Sequence, residues 1–172
     1  MAEQAIEEIG LKKEVRISHA EDVRTWIGEK EYRLVFPRRL LNYDCSKKDI
    51  DILFVGLITD KRKAFLSPFK GKAVIKESFN GRNDKVKGND NGYFELMARS
   101  KFVLCPDGDF TWTYRFFEAV IFKAIPIIQN DSCLYSGYHF FKSSDKLEYD
   151  LMKTERNLNK IISQMFLPEI DK

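Results

Sequence analysis

The sequence is poor in the residues from which disulfide and zinc frameworks are built. It contains only three cysteines and two histidines among 172 residues. Cys45, Cys105 and Cys133 cannot all pair with one another, and their spacing matches no zinc pattern. The cysteine pattern therefore argues against a disulfide-stapled secreted domain and against a zinc-binding domain. We expect Cys105 to be a buried thiol and the chain to work in a reducing compartment, the cytoplasm.

Several other features are absent as well. No stretch approaches the roughly 20 apolar residues that a membrane span needs, and the charged N-terminus lacks the apolar centre of a signal peptide. No Gly-x-Gly-x-x-Gly or Walker-type loop is present. The net charge of +3 is too small to indicate a nucleic-acid partner, although it permits a positive pocket for a phosphorylated ligand. We therefore predict a soluble protein without a membrane span.

From residue 50 onward, short apolar runs alternate with helical patterns. Runs rich in β-branched residues predict strands at residues 50–56, 73–79, 102–105 and 125–128. A polar loop is expected at residues 80–92, and a long terminal helix over residues 145–166 is expected to stop at Pro168. This alternation predicts an α/β fold, with a Rossmann-like parallel sheet and flanking helices.

The first 49 residues have a different sequence pattern. Charges interrupt a helical pattern there, and Ser18 with Glu21 resembles a capping box that opens a second helix around residues 20–28. We therefore predict two parts. Residues 1–49 form a short, mostly helical N-terminal appendage, and residues 50–172 form the main domain.

One stretch, residues 100–129, is predicted to form a strand, a polar loop, a helix and a second strand. Its loop carries a set of polar and small residues typical of a helix start: Asp107, Gly108, Asp109, Thr111 and Thr113. Ligands of open α/β folds bind outside the carboxyl ends of the parallel strands. The loop is therefore the candidate ligand site.

Arg115 and Glu118 interrupt the apolar helix that follows this loop. On a helix starting near Thr111 they lie three residues apart on one side. The helix start offers free N–H groups and a positive dipole to a diphosphate, and Arg115 adds a two-pronged donor. Glu118 could accept two ribose hydroxyls. The alternative is an ordinary surface ion pair between the two side chains, and the pattern leaves both interpretations open.

The motifs around this loop resemble those of a known family. Ser-Lys-Phe-Val-Leu-Cys-Pro-x-Gly, then Arg-x-x-Glu-Ala, then Ile-Pro-Ile-Ile resembles the signature of exostosin-like glycosyltransferases. The likeness covers about residues 50–142 and is dense across 93–131. In that family this half is the carboxy-terminal, nucleotide-sugar-binding lobe of a GT-B fold. The family usually has Gly-Cys before Ile-Pro, whereas this sequence has Lys123-Ala124, a difference expected to alter packing rather than chemistry.

The resemblance also implies roles for individual residues. Arg115 would contact the donor diphosphate, Glu118 the ribose, and residues 107–113 would frame the sugar. Arg62, after the first strand, would assist the phosphates. Asp107 and Asp109 have the spacing of an Asp-x-Asp metal loop, but contacts to sugar or backbone are favoured. No metal or other cofactor is expected, and no catalytic residue is assigned.

Two functions follow from the resemblance. The first is a glycosyltransferase, or its donor-binding lobe, which moves a sugar from a nucleotide-sugar to a glycan or other hydroxyl acceptor. The second is a non-catalytic nucleotide-binding or partner-binding module derived from such a lobe. Residues 1–49 are too short for a full acceptor lobe, so they are interpreted as an appendage or a remnant of one. A partner chain or a second copy of the chain is therefore considered for the acceptor side.

Overall fold

The computed structural model describes residues 1–77 and 91–167. The helices are α1 (Ala2–Glu8), α2 (Asp60–Leu66), α3 (Asn91–Ala98), α4 (Tyr114–Ile121) and α5 (Leu151–Met165). The strands are β1 (Val15–Ser18), β2 (Arg24–Ile27), β3 (Lys30–Tyr32), β4 (Ile50–Gly56), β5 (Val74–Glu77), β6 (Ser100–Cys105), β7 (Ile125–Ile128) and β8 (Phe141–Lys142).

A five-stranded parallel sheet forms the centre of the main domain. Its order is β5-β4-β6-β7-β8, and every neighbouring pair is parallel. The predicted α/β fold with a Rossmann-like sheet is therefore confirmed. The chain passes from β4 outward to β5 and then returns to β6 on the other side of β4. The strand order thus reverses between β4 and β6, and in open α/β sheets this switch point is where a ligand crevice forms.

Helices cover both faces of the sheet because alternate strand residues point to opposite sides. Phe54 and Leu104 pack with the apolar residues of α2. Leu53 and Val103 belong to a larger core with α3, α4 and α5. Strands buried on both faces need continuous apolar runs, which is the pattern that predicted them.

Helix α4 begins three residues later than predicted. Thr113 caps it, because the hydroxyl Oγ1 accepts a hydrogen bond from the backbone N–H of Arg115 at 3.3 Å. The hydroxyl of Thr111, the expected start, instead donates to Glu21 at 3.2 Å. All six residues from Phe116 to Ile121 are buried. The first turn of α4 consequently lies at the carboxyl end of the sheet, next to the switch point.

The other end of α4 closes with a Schellman motif. The N–H of Ala124 donates to the carbonyl of Ala119 at 2.9 Å, and that of Lys123 donates to Val120 at 3.1 Å. Lys123 has a φ of 54°, the left-handed conformation that glycine usually supplies at this position. The departure from Gly-Cys at Lys123-Ala124 therefore also strains the backbone, because a residue with a Cβ atom occupies a glycine site.

The prediction of a mostly helical N-terminal segment is wrong beyond α1. Strands β1, β2 and β3 form an antiparallel sheet in which Val15 lies opposite Ile27. Strand β2 has the period-2 burial of a strand, with Thr25 and Ile27 buried. Gly28 has a φ of 60°, a turn conformation that a continuous helix does not contain. Cross-strand pairing thus prevailed over the local capping signal at Ser18.

This N-terminal segment is packed against the main domain. Val23, Leu34, Phe36 and Leu40 are buried in the same core as α3, α4 and α5. A separate small core joins α1 to β2 and to Leu167 near the end of the described chain. Residues before β4 therefore help to cover the face of the sheet on which α3, α4 and α5 pack.

The remaining predictions differ mainly at their ends. Strand β5 lies inside the predicted range, and most of the polar loop at residues 80–92 lies outside the described residues, as does Pro168. Helix α5 starts at Leu151 because the Asp150 carboxylate accepts hydrogen bonds from the N–H groups of Met152 and Lys153. The preceding predicted turn and a half of helix is not helical in the structure.

Candidate functional site

A cleft of about 1130 Å³ opens at the carboxyl end of the sheet, beside the switch point between β4 and β6. Four parts of the chain surround it: the turn after β4 with the start of α2, the loop between β6 and α4, the end of β7, and the turn before β2. The lining residues are Glu21, Gly56, Leu57, Thr59, Asp60, Lys61, Arg62, Asp107, Gly108, Asp109, Phe110, Thr111, Arg115, Gln129 and Asn130.

Gly56 and Arg115 meet at the inner part of this cleft. Gly56 ends β4 with a φ of 152°, and a Cβ atom there would collide with Nη2 of Arg115. The same Nη2 donates a hydrogen bond to the carbonyl of Val55 at 2.8 Å. The guanidinium also lies 4.9 Å from the centre of the Phe54 ring. The glycine therefore allows the arginine to cross directly beneath the turn.

Arg115 retains hydrogen-bonding capacity that the protein does not use. Its Nε and Nη1 atoms are buried and have no hydrogen-bond partner among the described residues. No ion pair joins it to Glu118 in that part of the chain, so the surface pair considered from the sequence is not formed. Buried charged donors without acceptors are unfavourable and rare in native proteins. Arg115 is thus a cation that lines the cleft and has two N–H-bearing nitrogens, Nε and Nη1, that no described residue binds.

Glu118 faces away from the cleft, toward α3. It is only 7% exposed, and its Oε2 accepts a hydrogen bond from the Tyr93 hydroxyl at 2.5 Å. Burial raises the pKa of Glu118, and burial with the neighbouring carboxylate raises the pKa of Tyr93. Tyr93 lines a smaller pocket of about 300 Å³ beside Val55. A ligand would therefore meet Tyr93 before Glu118, and the ribose contact of Glu118 stays a prediction.

Asp107 is held by three side chains, the neutral amides of Gln129 and Asn130 and the guanidinium of Arg62. Its N–H donates to Gln129 Oε1 at 3.2 Å, and its Oδ2 accepts from Asn130 Nδ2 at 2.6 Å. Its carbonyl accepts from Nε of Arg62 at 3.1 Å. Oδ1 of Asp107 is buried and has no partner within the described ranges. The loop after β6 thus presents a fixed carboxylate to the cleft.

Arg62 connects the two loops that face each other across the switch point. Besides its bond to Asp107, its Nη1 donates to the carbonyl of Leu57 at 2.8 Å. The planar guanidinium can make several such bonds at once. Arg62 therefore fixes the turn after β4 relative to the loop after β6, in addition to lining the cleft.

The structure brings most of the predicted site residues together. Six of them line the cleft: Arg62, Asp107, Gly108, Asp109, Thr111 and Arg115. The other two do not. Glu118 is turned toward Tyr93, and Thr113 caps α4 while its N–H donates to the Tyr135 hydroxyl at 2.9 Å. Roles of these residues in binding a donor remain predictions.

Sequence reasoning missed the wall that the N-terminal segment contributes. The indole N–H of Trp112 donates to the carbonyl of Ala20 at 2.6 Å, and Nε2 of His19 lies 3.1 Å from the Tyr114 hydroxyl. Glu21 consequently reaches the cleft, although its pattern suggested a helix cap. The contacts span about ninety residues of sequence, so no local signal indicates them.

A comparison with known families decides the wider assignment. The family model for the exostosin GT47 domain matches residues 52–137, half of the chain. The chain belongs to the exostosin GT47 family. The match covers strands β4 to β7 and almost all of the cleft, but the wall at Glu21 lies before it. No curated protein and no solved structure matched the chain.

Membership places this GT47 domain among glycosyltransferases, and the predicted family resemblance is confirmed. Within the described ranges, no group of three or more His, Cys, Asp or Glu side chains is arranged to hold a metal ion. None of the helices described in this domain has the length and apolar character needed to cross a bilayer.

Proposed function

We propose that this chain binds the donor of a glycosyltransferase reaction, in which a sugar moves from a nucleoside-diphosphate sugar to a glycan or other hydroxyl acceptor. Family membership supports the reaction class. The observation that carries donor binding is Arg115, a cation in the cleft with two buried donors that have no acceptor among the described residues. A diphosphate supplies acceptor oxygens and matches the planar guanidinium.

The position of Arg115 suits the chemistry of sugar transfer. As the bond between the anomeric carbon and the diphosphate oxygen breaks, negative charge grows on the leaving diphosphate. A fixed cation and the positive amino end of α4 stabilise that charge without any proton transfer. The acceptor hydroxyl must also lose its proton to a base, and no residue is assigned to that role.

The hydrogen bond of Arg115 to Val55 constrains how a phosphate can be engaged. Because Nε and Nη1 are covered, the side chain must leave the Val55 carbonyl, or the Gly56 turn must shift, before those atoms reach a ligand. The absence of a Cβ atom at Gly56 makes the turn the easier part to move. Donor binding is therefore expected to rearrange this turn.

Calorimetry with UDP, GDP and ADP tests donor binding directly. We expect at least one of them to bind, with a loss of about tenfold to a hundredfold in affinity in Arg115→Ala, because a charged hydrogen-bond partner of the diphosphate is removed. Arg24→Ala is the matched control, since Arg24 is exposed and pairs with Asp22 and Glu31 away from the cleft. It should bind like the wild type.

Thermal unfolding and an assay for release of nucleoside diphosphate from nucleotide-sugars complete this experiment. Thermal unfolding checks that Arg115→Ala is folded. Its stability should change by less than about 1 kcal/mol, because the lost bond to Val55 is offset by the removal of unpaired donors. Failure of all three nucleotides to bind, or unchanged affinity in Arg115→Ala, contradicts the proposal. Binding without release of nucleoside diphosphate from any nucleotide-sugar supports the alternative, a non-catalytic nucleotide-binding module.

A further inference from the structure

A second cavity, which we call the α3 pocket, adjoins the cleft at the turn that ends β4. It has a volume of about 300 Å³ and is bordered by β4, β5 and α3. Val55 lines this pocket, whereas the next residue, Gly56, lines the cleft. The two cavities therefore share the turn at Val55 and Gly56, which is also where Arg115 donates to the Val55 carbonyl.

The α3 pocket has an apolar wall and a charged rim. Val55, Tyr93 and Leu96 form the wall, and all three are partly buried and packed against the main core. The rim consists of three exposed residues with charges of both signs: Lys76, Glu95 and Arg99. Since this rim has no strong excess of either charge, we expect apolar contact with the wall to govern what the pocket binds.

A buried carboxylate lies behind the Tyr93 hydroxyl. Glu118 is only 7% exposed, and its Oε2 accepts a hydrogen bond from that hydroxyl at 2.5 Å. A phenol oxygen that donates its proton can also accept a hydrogen bond from a ligand hydroxyl. The Tyr93 side chain thus gives the pocket a polar group that is held in place by a buried partner.

Helix α4 connects this polar group to the cation of the cleft. Arg115 and Glu118 are three residues apart, so they lie on one side of the helix and about 4.5 Å apart along its axis. Arg115 lines the cleft, and Glu118 contacts Tyr93 of the α3 pocket. A ligand with its diphosphate at Arg115 can therefore extend one of its two ends toward Tyr93.

The two cavities suit different ends of a nucleotide-sugar. The cleft is lined mainly by polar and charged side chains, such as Asp107, Gln129 and Arg62, which can bind the hydroxyls of a sugar. A nucleobase has flat apolar faces, which pack on aromatic and aliphatic side chains. The wall of the α3 pocket offers such side chains, and Tyr93 adds a hydroxyl that can meet a ribose.

We propose that the α3 pocket binds the nucleoside of the donor, with Val55 and Leu96 against the base and the Tyr93 hydroxyl against the ribose. The assignment rests on the donor binding proposed above. It makes Tyr93, and not Glu118, the residue that a ribose contacts first. The sugar then lies on the cleft side of Arg115.

Inorganic pyrophosphate and a nucleoside diphosphate separate the two sites by calorimetry. Pyrophosphate can use Arg115 but has nothing to place in the α3 pocket. We expect UDP to bind the wild type about tenfold more tightly than pyrophosphate does, and Arg115→Ala to weaken both. If GDP or ADP is the tightest nucleotide, it replaces UDP throughout. Equal affinities of pyrophosphate and the nucleotide overturn the assignment.

Leu96→Trp places a larger side chain in the α3 pocket. It should weaken UDP about tenfold and change pyrophosphate by less than about twofold, because only the nucleoside loses its space. Leu158→Trp is the matched control, since Leu158 is also a partly buried leucine of the main core but lies on α5, away from the pocket. Equal losses for UDP and pyrophosphate in Leu96→Trp contradict the assignment.

Tyr93→Phe removes the hydroxyl and keeps the ring. The wild type should prefer UDP over 2′,3′-dideoxy-UDP, and this preference should shrink several-fold in Tyr93→Phe because the ribose loses its partner. Tyr149→Phe is the control, since the Tyr149 hydroxyl donates to the Lys123 carbonyl at 2.9 Å outside the pocket. An unchanged or larger preference in Tyr93→Phe overturns the ribose contact, and this variant remains informative if Leu96→Trp does not fold.

The outcomes distinguish the pocket assignment from the proposed function. Failure of UDP, GDP and ADP to bind at all overturns the proposed function and the assignment with it. Binding that depends on Arg115 but is unchanged in both Leu96→Trp and Tyr93→Phe overturns only the assignment. The same holds if these variants weaken UDP-glucose but not UDP, because the sugar and not the nucleoside would then occupy the α3 pocket.

Discussion

At the amino edge of the parallel sheet, the charged groups Lys48, Asp49 and Arg99 are each bound within the protein, whereas at the carboxyl edge Asp107 and Arg115 keep buried polar atoms that no described residue binds. The ammonium of Lys48 donates to the carbonyls of Ala98 at 2.8 Å and Phe122 at 2.6 Å, which lie at the last turns of α3 and α4. Arg99 forms two bonds of 2.8 and 2.7 Å with the Asp49 carboxylate. Each of these amino-edge charges has a partner.

The carboxyl edge presents the opposite case. Arg115 and Asp107 both have buried polar atoms without partners among the described residues, and both line the cleft. An unmatched buried group lowers the free energy of unfolding, so it is maintained only where something other than stability requires it. The contrast indicates that the amino edge stabilises the fold while the carboxyl edge is available to a ligand.

The largest expected effect concerns Lys48. Lys48→Met removes the donor that binds two carbonyls at the carboxyl ends of helices. It also removes a positive charge that interacts favourably with the negative ends of the helix dipoles. Burial lowers the pKa of Lys48 to about 8, so the side chain is mainly charged at neutral pH. We expect the free energy of unfolding to fall by about 2–3 kcal/mol in denaturant titrations.

Lys47→Met is the control for this variant, because Lys47 is exposed and its pair with Asp49 is solvated. It should change stability by less than about 0.5 kcal/mol. The affinity of Lys48→Met for nucleoside diphosphates should match the wild type. A loss of affinity without a loss of stability would show that the two edges are not separate in function.

A second effect, of intermediate size, concerns pH. Burial raises the pKa of the Cys105 thiol, at the carboxyl end of β6, to about 12. In the unfolded chain the thiol ionises near 8.5, so between these values the unfolded state binds fewer protons and the free energy of unfolding falls as pH rises. The loss attributable to Cys105 between pH 8 and pH 10 is about 2 kcal/mol.

Denaturant titrations of Cys105→Ala and the wild type at both pH values measure this loss. The stability difference between the two proteins should shrink by that amount at the higher pH. Cys133→Ala provides the control, since Cys133 is exposed and its removal should leave the pH dependence unchanged. A parallel pH dependence in the wild type and Cys105→Ala would contradict the assignment.

The smallest effect concerns the glycine site at the end of α4. Lys123→Gly should raise the free energy of unfolding by about 0.5–1 kcal/mol, because a left-handed residue with a Cβ atom is replaced by one without. The exposed ion pair of Lys123 with Glu155 at 2.7 Å is lost in the same change and offsets little of the gain.

Lys123→Ala separates the two contributions to this change. Alanine removes the ion pair but keeps the Cβ atom, so its stability should equal or fall slightly below that of the wild type in the same titrations. If Lys123→Ala and Lys123→Gly have equal stability, the backbone conformation is not the cause.

Sequence patterns predicted the centre of this fold well, because buried strands have a simple requirement. Strands β4, β6 and β7 must be apolar on both faces, and that requirement appears as local runs of Val, Ile, Leu and Phe. The antiparallel sheet before β4 has no such run. Its pairing, as between Val15 and Ile27, depends on contacts that local helix signals at Ser18 and Glu21 do not reveal.

The candidate site was predictable only where its residues are close in sequence. The loop after β6 and the first turn of α4 form one continuous pattern, so Asp107 and Arg115 were found together. Gly56 passing over Arg115, and Glu21 joining Thr111, are contacts between distant segments. The orientation of Glu118 also depends on such a contact, since Tyr93 on α3 turns it from the cleft.

The bond between Trp112 and Ala20 has a practical consequence. The sequence contains two tryptophans, and Trp112 lies in the loop after β6 with its indole N–H bonded to the N-terminal segment. Its ring stacks on Phe110, a residue of the cleft. With Trp26 replaced by phenylalanine, the intrinsic fluorescence of this single indole becomes a built-in optical probe of whether the N-terminal wall and the loop remain joined.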